Sequence, residues 1–257
     1  MSKLLGKRVL ITAGAQGIGL AISRHLLRAG CDLFVHYHRS SEAAEALGQE
    51  AAALARRCAF SSGDLTRTED CDRIVAEAVG CLGGLDILIN NAGSLIARRG
   101  FTEADDAFWA QTISLNVGST RKVTRAAVPH LVASARAAGG ASIVNLASLA
   151  GRKGGHAGSI AYSTAKGAIL TFTRALATEL GPQGIRVNAL APGLILGTSF
   201  HNTHTSPESA RATVAGIPLG RGGNADDVAR AAVYLASEFD GFITGATLDI
   251  NGGVYSC

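Results

Sequence analysis

Tyr162 and Lys166 stand four residues apart in an apolar stretch with helical spacing, so both side chains lie on one helix face. A tyrosine with a pKa near 10 is a poor base at neutral pH, but a neighbouring ammonium favours the phenolate and draws that pKa towards the working range. Such a pair suits proton exchange with an alcohol or carbonyl oxygen. With four tyrosines and five lysines in the chain, a Y-x-x-x-K spacing arises by chance about 0.08 times, so its partners must decide it. Ser148 follows the apolar run Ser142 to Leu146 and could hydrogen-bond a substrate carbonyl oxygen; a capping or loop serine explains it as simply. Asn116 interrupts a helical stretch, ISLNVGS, and a local structural role is its plain alternative.

A second centre lies near the start of the chain. Thr12-Ala13-Gly14-Ala15-Gln16-Gly17-Ile18-Gly19 falls between an apolar run and a helical stretch. There, exposed backbone N–H groups and the helix dipole favour a pyrophosphate, and glycines let the backbone approach it. Eighteen residues past Gly19, where an NAD-preferring site carries a carboxylate for the ribose hydroxyls, this chain has Tyr37. His36, His38, Arg39 and Ser40 surround it. Arg39 and the Ser40 hydroxyl could bind a 2′-phosphate by charge-assisted hydrogen bonds. The expectation is a nicotinamide cofactor, NADP(H) favoured over NAD(H), with a solvated loop cation as the alternative for Arg39.

These residues must be positioned by an alternation of short apolar runs and helical stretches. Strands are expected at Arg8 to Thr12, Asp32 to Tyr37, Cys58 to Ser61, Leu85 to Ile89, Ser142 to Leu146, Arg186 to Leu190 and Thr247 to Ile250. Helices are expected at Gly17 to Ala29, Ser41 to Arg57, Arg67 to Leu82, Thr120 to Ala138, Ala161 to Leu180 and Asp226 to Ser237. That order implies one α/β Rossmann domain over 1–257, a doubly wound parallel sheet of about seven strands with helices on both faces. Ligands of such a sheet sit beyond the carboxyl ends of its strands. The irregular stretch there, Pro192 to Ile217, reads as a substrate lid over 193–217 or as a plain surface loop.

Thr12, Gly17 and Gly19, Asn90-Asn91-Ala92-Gly93, Asn116, Ser148, Tyr162 with Lys166, and Pro192-Gly193 occur in the order of the short-chain dehydrogenase/reductase family, which the chain resembles along essentially its whole length. The family pattern T-G-x-x-x-G-x-G has Ala13 here in place of its first glycine, so Gly14 is expected to supply the turn's freedom. Ser148 and Tyr162 are fourteen positions apart and Thr198 lies six beyond Pro192, each one residue more than usual in the family. The stretch HYHRSSEAAEAL is similar to a segment of pteridine reductases in which His-Arg-Ser contact the NADP phosphate, although the arginine usual in their glycine motif is Gln16 here.

The resemblance implies hydride transfer between a nicotinamide and a carbonyl or secondary alcohol. It makes Tyr162 the general acid in reduction, Ser148 the group polarising the carbonyl, Lys166 a ligand of the nicotinamide ribose and Asn116 the holder of a relay water. It assigns the adenine to Asp64 and Leu65, and further cofactor contacts to Asn91, Ala92, Gly93, Pro192, Gly193 and the Ile195 backbone. Asp64 could equally cap a helix. The substrate wall would draw on Ser94, Leu194, His156 and Phe200. A 3-oxoacyl-thioester (acyl carrier protein) reductase is the nearest rival reading, and a non-catalytic NADP-binding sensor or scaffold is the rival of another class. Family likeness also suggests a homotetramer or homodimer.

Composition fits this picture. The 257 residues are 47% hydrophobic and 17% charged, with 32 Gly and 5 Pro, which excludes a disordered or collagen-like chain. A net charge of +4 without like-charged blocks gives no footprint for nucleic acid or a membrane surface. Five cysteines without a C-x-x-C pair argue for free thiols and against structural zinc, and the seven histidines form no metal-ligand motif. No metal is expected, and a cytoplasmic location is. Arg98 and Arg99 could meet an acidic partner or be solvated surface charges.

Overall fold

The computed structural model describes residues 3–198, 203–237 and 241–256. Seven parallel strands form one sheet in the order β3-β2-β1-β4-β5-β6-β7. They are β1 Arg8–Ile11, β2 Asp32–Tyr37, β3 Cys58–Ser62, β4 Ile87–Asn90, β5 Ala141–Leu146, β6 Ile185–Pro192 and β7 Thr247–Ile250. Val9 pairs in register with Leu33 on one side and Ile87 on the other. The chain runs outward from β1 to β3, then returns to lay β4 against the opposite side of β1. The carboxyl ends of β1 and β4 therefore flank the point where the strand order reverses, and a crevice opens there.

Alternation along the strands fills both faces. Val9, Ile11, Leu33, Val35, Ile87 and Ile89 pack with Leu26 and Leu27 of helix α1 (Gly17–Arg28), Leu47 of α2 (Ser41–Ala53) and Leu235 of the last helix. Leu10, Phe34, Leu88 and Ile143 point the other way, onto Ile74 and Val75 of α3 (Thr68–Leu82) and Leu131 further on. A period of two in the sequence thus becomes two helix-covered layers. No helix among the described residues is long and apolar enough to cross a membrane.

Three local features depart from the expectations. Helix α2 stops at Ala53, not Arg57, because the chain must turn to enter β3: Ala55 takes φ +52°, and Arg57 donates from its backbone N and Nε to Asp32, each at 3.0 Å. A helix not foreseen, α4 (Asp106–Ile113), is capped by Asp105, which accepts from Phe108 N at 2.8 Å. It runs through a π-helical turn, Ser114–Gly118, into α5 (Ser119–Ala138), so the apparent interruption at ISLNVGS is a bulge inside one helical run. After β5 come the short α6 (Leu149–Lys153) and the long α7 (Ile160–Leu180). The stretch expected to be irregular contains helix α8 (Pro207–Ala215), capped by Ser206 with Pro207 at its first position. Helix α9 (Ala225–Ala236) then leads to β7.

Candidate active site

The turn after β1 is clamped from two sides. Thr12 Oγ1 accepts from Asn91 N at 2.9 Å and Ala92 N at 3.0 Å. In return Asn91 Nδ2 donates to the Thr12 carbonyl at 3.1 Å and the Ala13 carbonyl at 3.0 Å. Ala13 itself takes the left-handed conformation, φ +50°. Gly14 does not supply that freedom, contrary to expectation; it is glycine for want of space, since a Cβ there would meet Ile11 Cγ2 at 2.7 Å and Val35 Cγ1 at 2.9 Å. What holds Ala13 is His36, whose Nδ1 accepts from Ala13 N at 3.1 Å while Nε2 donates to the Gly63 carbonyl at 3.0 Å. Both bonds require the neutral ring with its proton on Nε2. Burial pushes the His36 pKa down in accord with this.

The first helical turn of α1 begins at Gly17, and its leading amides have no intrahelical acceptors. Close backbone approach is enforced at Gly19, where a Cβ would lie 2.2 Å from the Ala13 carbonyl oxygen and 2.5 Å from Asn91 Nδ2. Gly93 similarly leaves room for Asn116 Oδ1 and Lys166 Nζ, which a Cβ would meet at 2.6 and 3.0 Å. An open helix N-terminus beside glycines that admit no side chain fits the pyrophosphate of a dinucleotide.

Next to this cradle, β5 delivers Ser148 to the carboxyl edge. Ser148 caps α6, its Oγ accepting from Ala150 N at 3.1 Å, and it also hydrogen-bonds Tyr162. The capping role and the contact with the phenol therefore coexist. Lys166, one turn along α7, is buried and donates from Nζ to the Leu146 carbonyl at 2.7 Å. Its Nζ lies 5.8 Å from the Tyr162 ring centroid. The expected lowering of the phenol by this ammonium is not met in the structure. Withdrawal from water pushes Tyr162 up to about 12, only partly opposed by the Ser148 hydrogen bond, and pushes Lys166 down to about 8. Asn116, in the π turn, is wholly engaged: Nδ2 donates to the Ser94 and Thr112 carbonyls, both at 2.9 Å, and Oδ1 accepts from Ser94 N at 3.1 Å.

Ser148, Tyr162 and Lys166 line one cavity of about 600 Å³, which Asn116 does not reach. It gathers Gln16, Gly17, Ile18 and Gly19 from the first turn, Asn91 and Gly93 from the second, then Ser148, His156, Tyr162, Lys166, and Pro192, Gly193, Leu194 and Ile195 after β6. A family model described as enoyl-(acyl carrier protein) reductase matches residues 12–255. An uncharacterized oxidoreductase of Mycobacterium tuberculosis is 36% identical over 254 residues, covering 99% of this chain and 94% of the relative. A 3-oxoacyl-[acyl-carrier-protein] reductase of Chlamydia pneumoniae is 35% identical over 257 residues, with 98% of each covered. Among solved structures, an NADH-dependent reductase responsible for alginate metabolism superposes with a TM-score of 0.92 at 34% identity and complete coverage of both chains. The chain is a short-chain dehydrogenase/reductase. It is an oxidoreductase of the CH–OH/C=O couple that uses a nicotinamide cofactor.

Within the dehydrogenase/reductase frame, the remaining expected residues that are described fall outside the cavity wall. Thr12, Gly14 and Ala92 belong to the clamp behind the first turn. Asn116 is bonded to Ser94, whose Oγ accepts from Ile96 N at 3.1 Å, so neither side chain lines the cavity. Tyr37 ends β2 and His38, Arg39 and Ser40 follow it; the Ser40 hydroxyl donates to Gln16 Oε1 at 3.0 Å and Arg39 is exposed. Asp64 spends its carboxylate on Thr66 N and Oγ1, at 2.9 and 2.8 Å, and Leu65 is buried in the core. Phe200 lies outside the described residues.

The dehydrogenase/reductase cavity also has walls that sequence reasoning missed. Ser209, Ala212 and Thr213 line it from α8, and Gly216 from the helix's C-terminal cap. Their three-and-four spacing was the available signal. Lys153, at the end of α6, and Arg98 line it too. Arg98 donates from Nε to the His204 carbonyl at 3.2 Å and from Nη1 to the Ala157 carbonyl at 3.1 Å. Arg99 turns away, to Asp105 at 3.8 Å and over the Phe108 ring at 4.6 Å.

Proposed function

We propose that this enzyme is an NADP(H)-dependent carbonyl reductase in which Tyr162 is the proton donor. The observation that carries the reading is the hydrogen bond between Ser148 and Tyr162 at the wall of a cavity that also contains the glycine cradle. The bound cofactor would supply or accept the hydride. Tyr162, protonated throughout the neutral range, is an acid ready to donate from Oη to the carbonyl oxygen as negative charge develops there. Ser148 Oγ would hold that oxygen. Lys166 would bind the nicotinamide ribose, and its Leu146 bond directs the ammonium. Asn116 acts through its grip on Ser94, which orders the loop after β4, and a relay water there would meet the π turn. Residues 193–217 would form a lid, with α8 as its moving wall.

The NADP(H) preference is supported by Arg39, exposed and without a partner among the described residues, and by Tyr37 in place of a carboxylate. The alginate-metabolism relative is NADH-dependent, so the preference rests on this chain's own residues. Arg39→Glu should weaken NADPH binding at least about ten-fold more than NADH binding; equal losses in titrations with both cofactors would remove the case. A 3-oxoacyl-thioester substrate is the second reading, favoured by the Chlamydia pneumoniae relative. Family likeness further supports a homotetramer, open to sedimentation. Absorbance-followed NADPH oxidation across ketones, ketoses, quinones and 3-oxoacyl thioesters tests the whole reading. Turnover with one class is expected; tight NADPH binding with silence throughout would favour a sensor or scaffold.

A further inference from the structure

The cavity carries charge that hydride transfer does not require. Among the described residues lining it there is no Asp or Glu, yet Arg98, Lys153 and Lys166 all reach it, with His156 beside them. Lys166 is accounted for by its place next to Tyr162. Arg98 and Lys153 are not. Several arginines elsewhere are matched by carboxylates: Arg8 by Asp86, Arg24 by Glu50, Arg152 by Asp249, and the adjacent Arg99 by Asp105. Arg98 instead donates to two backbone carbonyls, which satisfy hydrogens without neutralising charge.

Those carbonyls belong to His204, ahead of α8, and Ala157, between Ser148 and Tyr162. They fix the guanidinium between the segments that hold Ala157 and His204, while Nη2 has no partner among the described residues. Lys153 is exposed, follows Ser148 by five positions at the end of α6, and has no ion pair among the described residues. Two uncompensated cations on a concave wall hold a positive potential that focuses on an anion, and a guanidinium anchored at Nε and Nη1 still offers N–H groups to an oxyanion.

Building on the reductase reading above, we propose that the substrate is a small carbonyl compound bearing an anionic group, a carboxylate or a phosphate ester. Its carbonyl oxygen meets Ser148 and Tyr162 while the anion is held between Arg98 and Lys153.

The test compares oxo acids of increasing chain length, from 4-oxopentanoate to 6-oxoheptanoate, with their methyl esters, and dihydroxyacetone phosphate with dihydroxyacetone. Each is measured with NADPH for kcat/KM, and by calorimetry for binding to the NADPH-loaded protein. The charged member of a pair should be preferred about ten-fold or more, and the preference should shrink as salt rises. Whether the acids or the phosphate gain more identifies the anion. Lys153→Gln should cut the charged-over-neutral preference about five-fold, chiefly through KM. Arg98→Lys, which keeps the charge but not the fork, should cut it less. Equal kcat/KM for charged and neutral partners, or a preference indifferent to Lys153→Gln, overturns the proposal while leaving carbonyl reduction intact. So does turnover confined to 3-oxoacyl groups on a carrier protein, with none on N-acetylcysteamine. If nothing is reduced but the charged compounds bind and Lys153→Gln weakens that binding, the reductase reading fails and the anion site stands.

Discussion

The two ends of the same sheet use charge in opposite ways. At the amino-terminal edge, Asp86 precedes β4 and accepts from Arg8 N, Nε and Nη2, each at 2.8 Å, and from Ser134. Asp32 at the start of β2 is met by Arg57 at 3.0 Å. At the carboxyl edge, a buried lysine bonds a carbonyl, a phenol is held protonated, and two cations face a cavity wall that has no carboxylate among the described residues. At the first edge both carboxylates are spent on arginines of the fold, a use that stabilises. The second has capacity left over for a ligand. Substitutions at the two edges should therefore fail in different measurements.

The largest effect belongs to the carboxyl edge. Tyr162→Phe removes one hydroxyl and its bond to Ser148. Turnover should fall about 10³-fold, within the range for loss of a general acid, while NADPH affinity by fluorescence titration and the melting temperature change little. Retained turnover would reassign the acid and dissolve the contrast between the edges.

The opposite pattern is expected at Asp86. Arg8 and Ser134 hold its carboxyl down to about 2 against burial, which pushes it up. A carboxyl depressed in the fold contributes stability that is complete above its unfolded pKa near 4 and is lost as pH falls towards 2. Asp86→Asn should cost about 2 kcal/mol in urea unfolding at neutral pH, discounted because Arg8 is partly exposed. It should also flatten the acid limb of the stability profile and leave KM values in place. A change in substrate KM larger than the change in stability would mean that the edges communicate.

How far these roles could be read from the chain follows the range of the interactions. Strands were legible because each is a local apolar run: β2 and β7 begin and end where the runs do. The glycine turn and the Tyr162–Lys166 spacing are likewise local. Helix α8 was hidden because Pro207, Ser209 and Thr213 read as loop residues until Ser206 is known to cap them. Arg98 and Lys153 were illegible because charge compensation is non-local: Arg99, one residue away, finds Asp105, and Arg98 finds no carboxylate among the described residues. His36 was misjudged as one donor in the cluster around Tyr37. Strand alternation assigns it to the side of Phe34, opposite Val35 and Tyr37, and that parity was available in the sequence.

His36 gives the smallest effect and the one that best sharpens the comparison, because it is a titratable group of the carboxyl edge used structurally. Its neutral ring bridges Ala13 and Gly63, holding a non-glycine residue at φ +50° where the family has glycine. Burial lowers its pKa, as do His38 and Arg73, while the Gly63 bond and Asp70 raise it. With the folded pKa below the unfolded value near 6.5, the unfolded chain takes up the proton first as pH falls. The contribution of His36 is therefore complete above that value and declines below it. Protonation would also replace the acceptor facing Ala13 N with a donor. Melting temperature of the cofactor-free protein should drop between pH 7 and pH 5 by a few degrees more than in His36→Asn, whose amide oxygen can still accept from Ala13 but does not titrate. Ala13→Gly should relieve the turn and shrink that difference. Parallel pH profiles for the wild type and both variants would show that the first turn holds its shape without the imidazole.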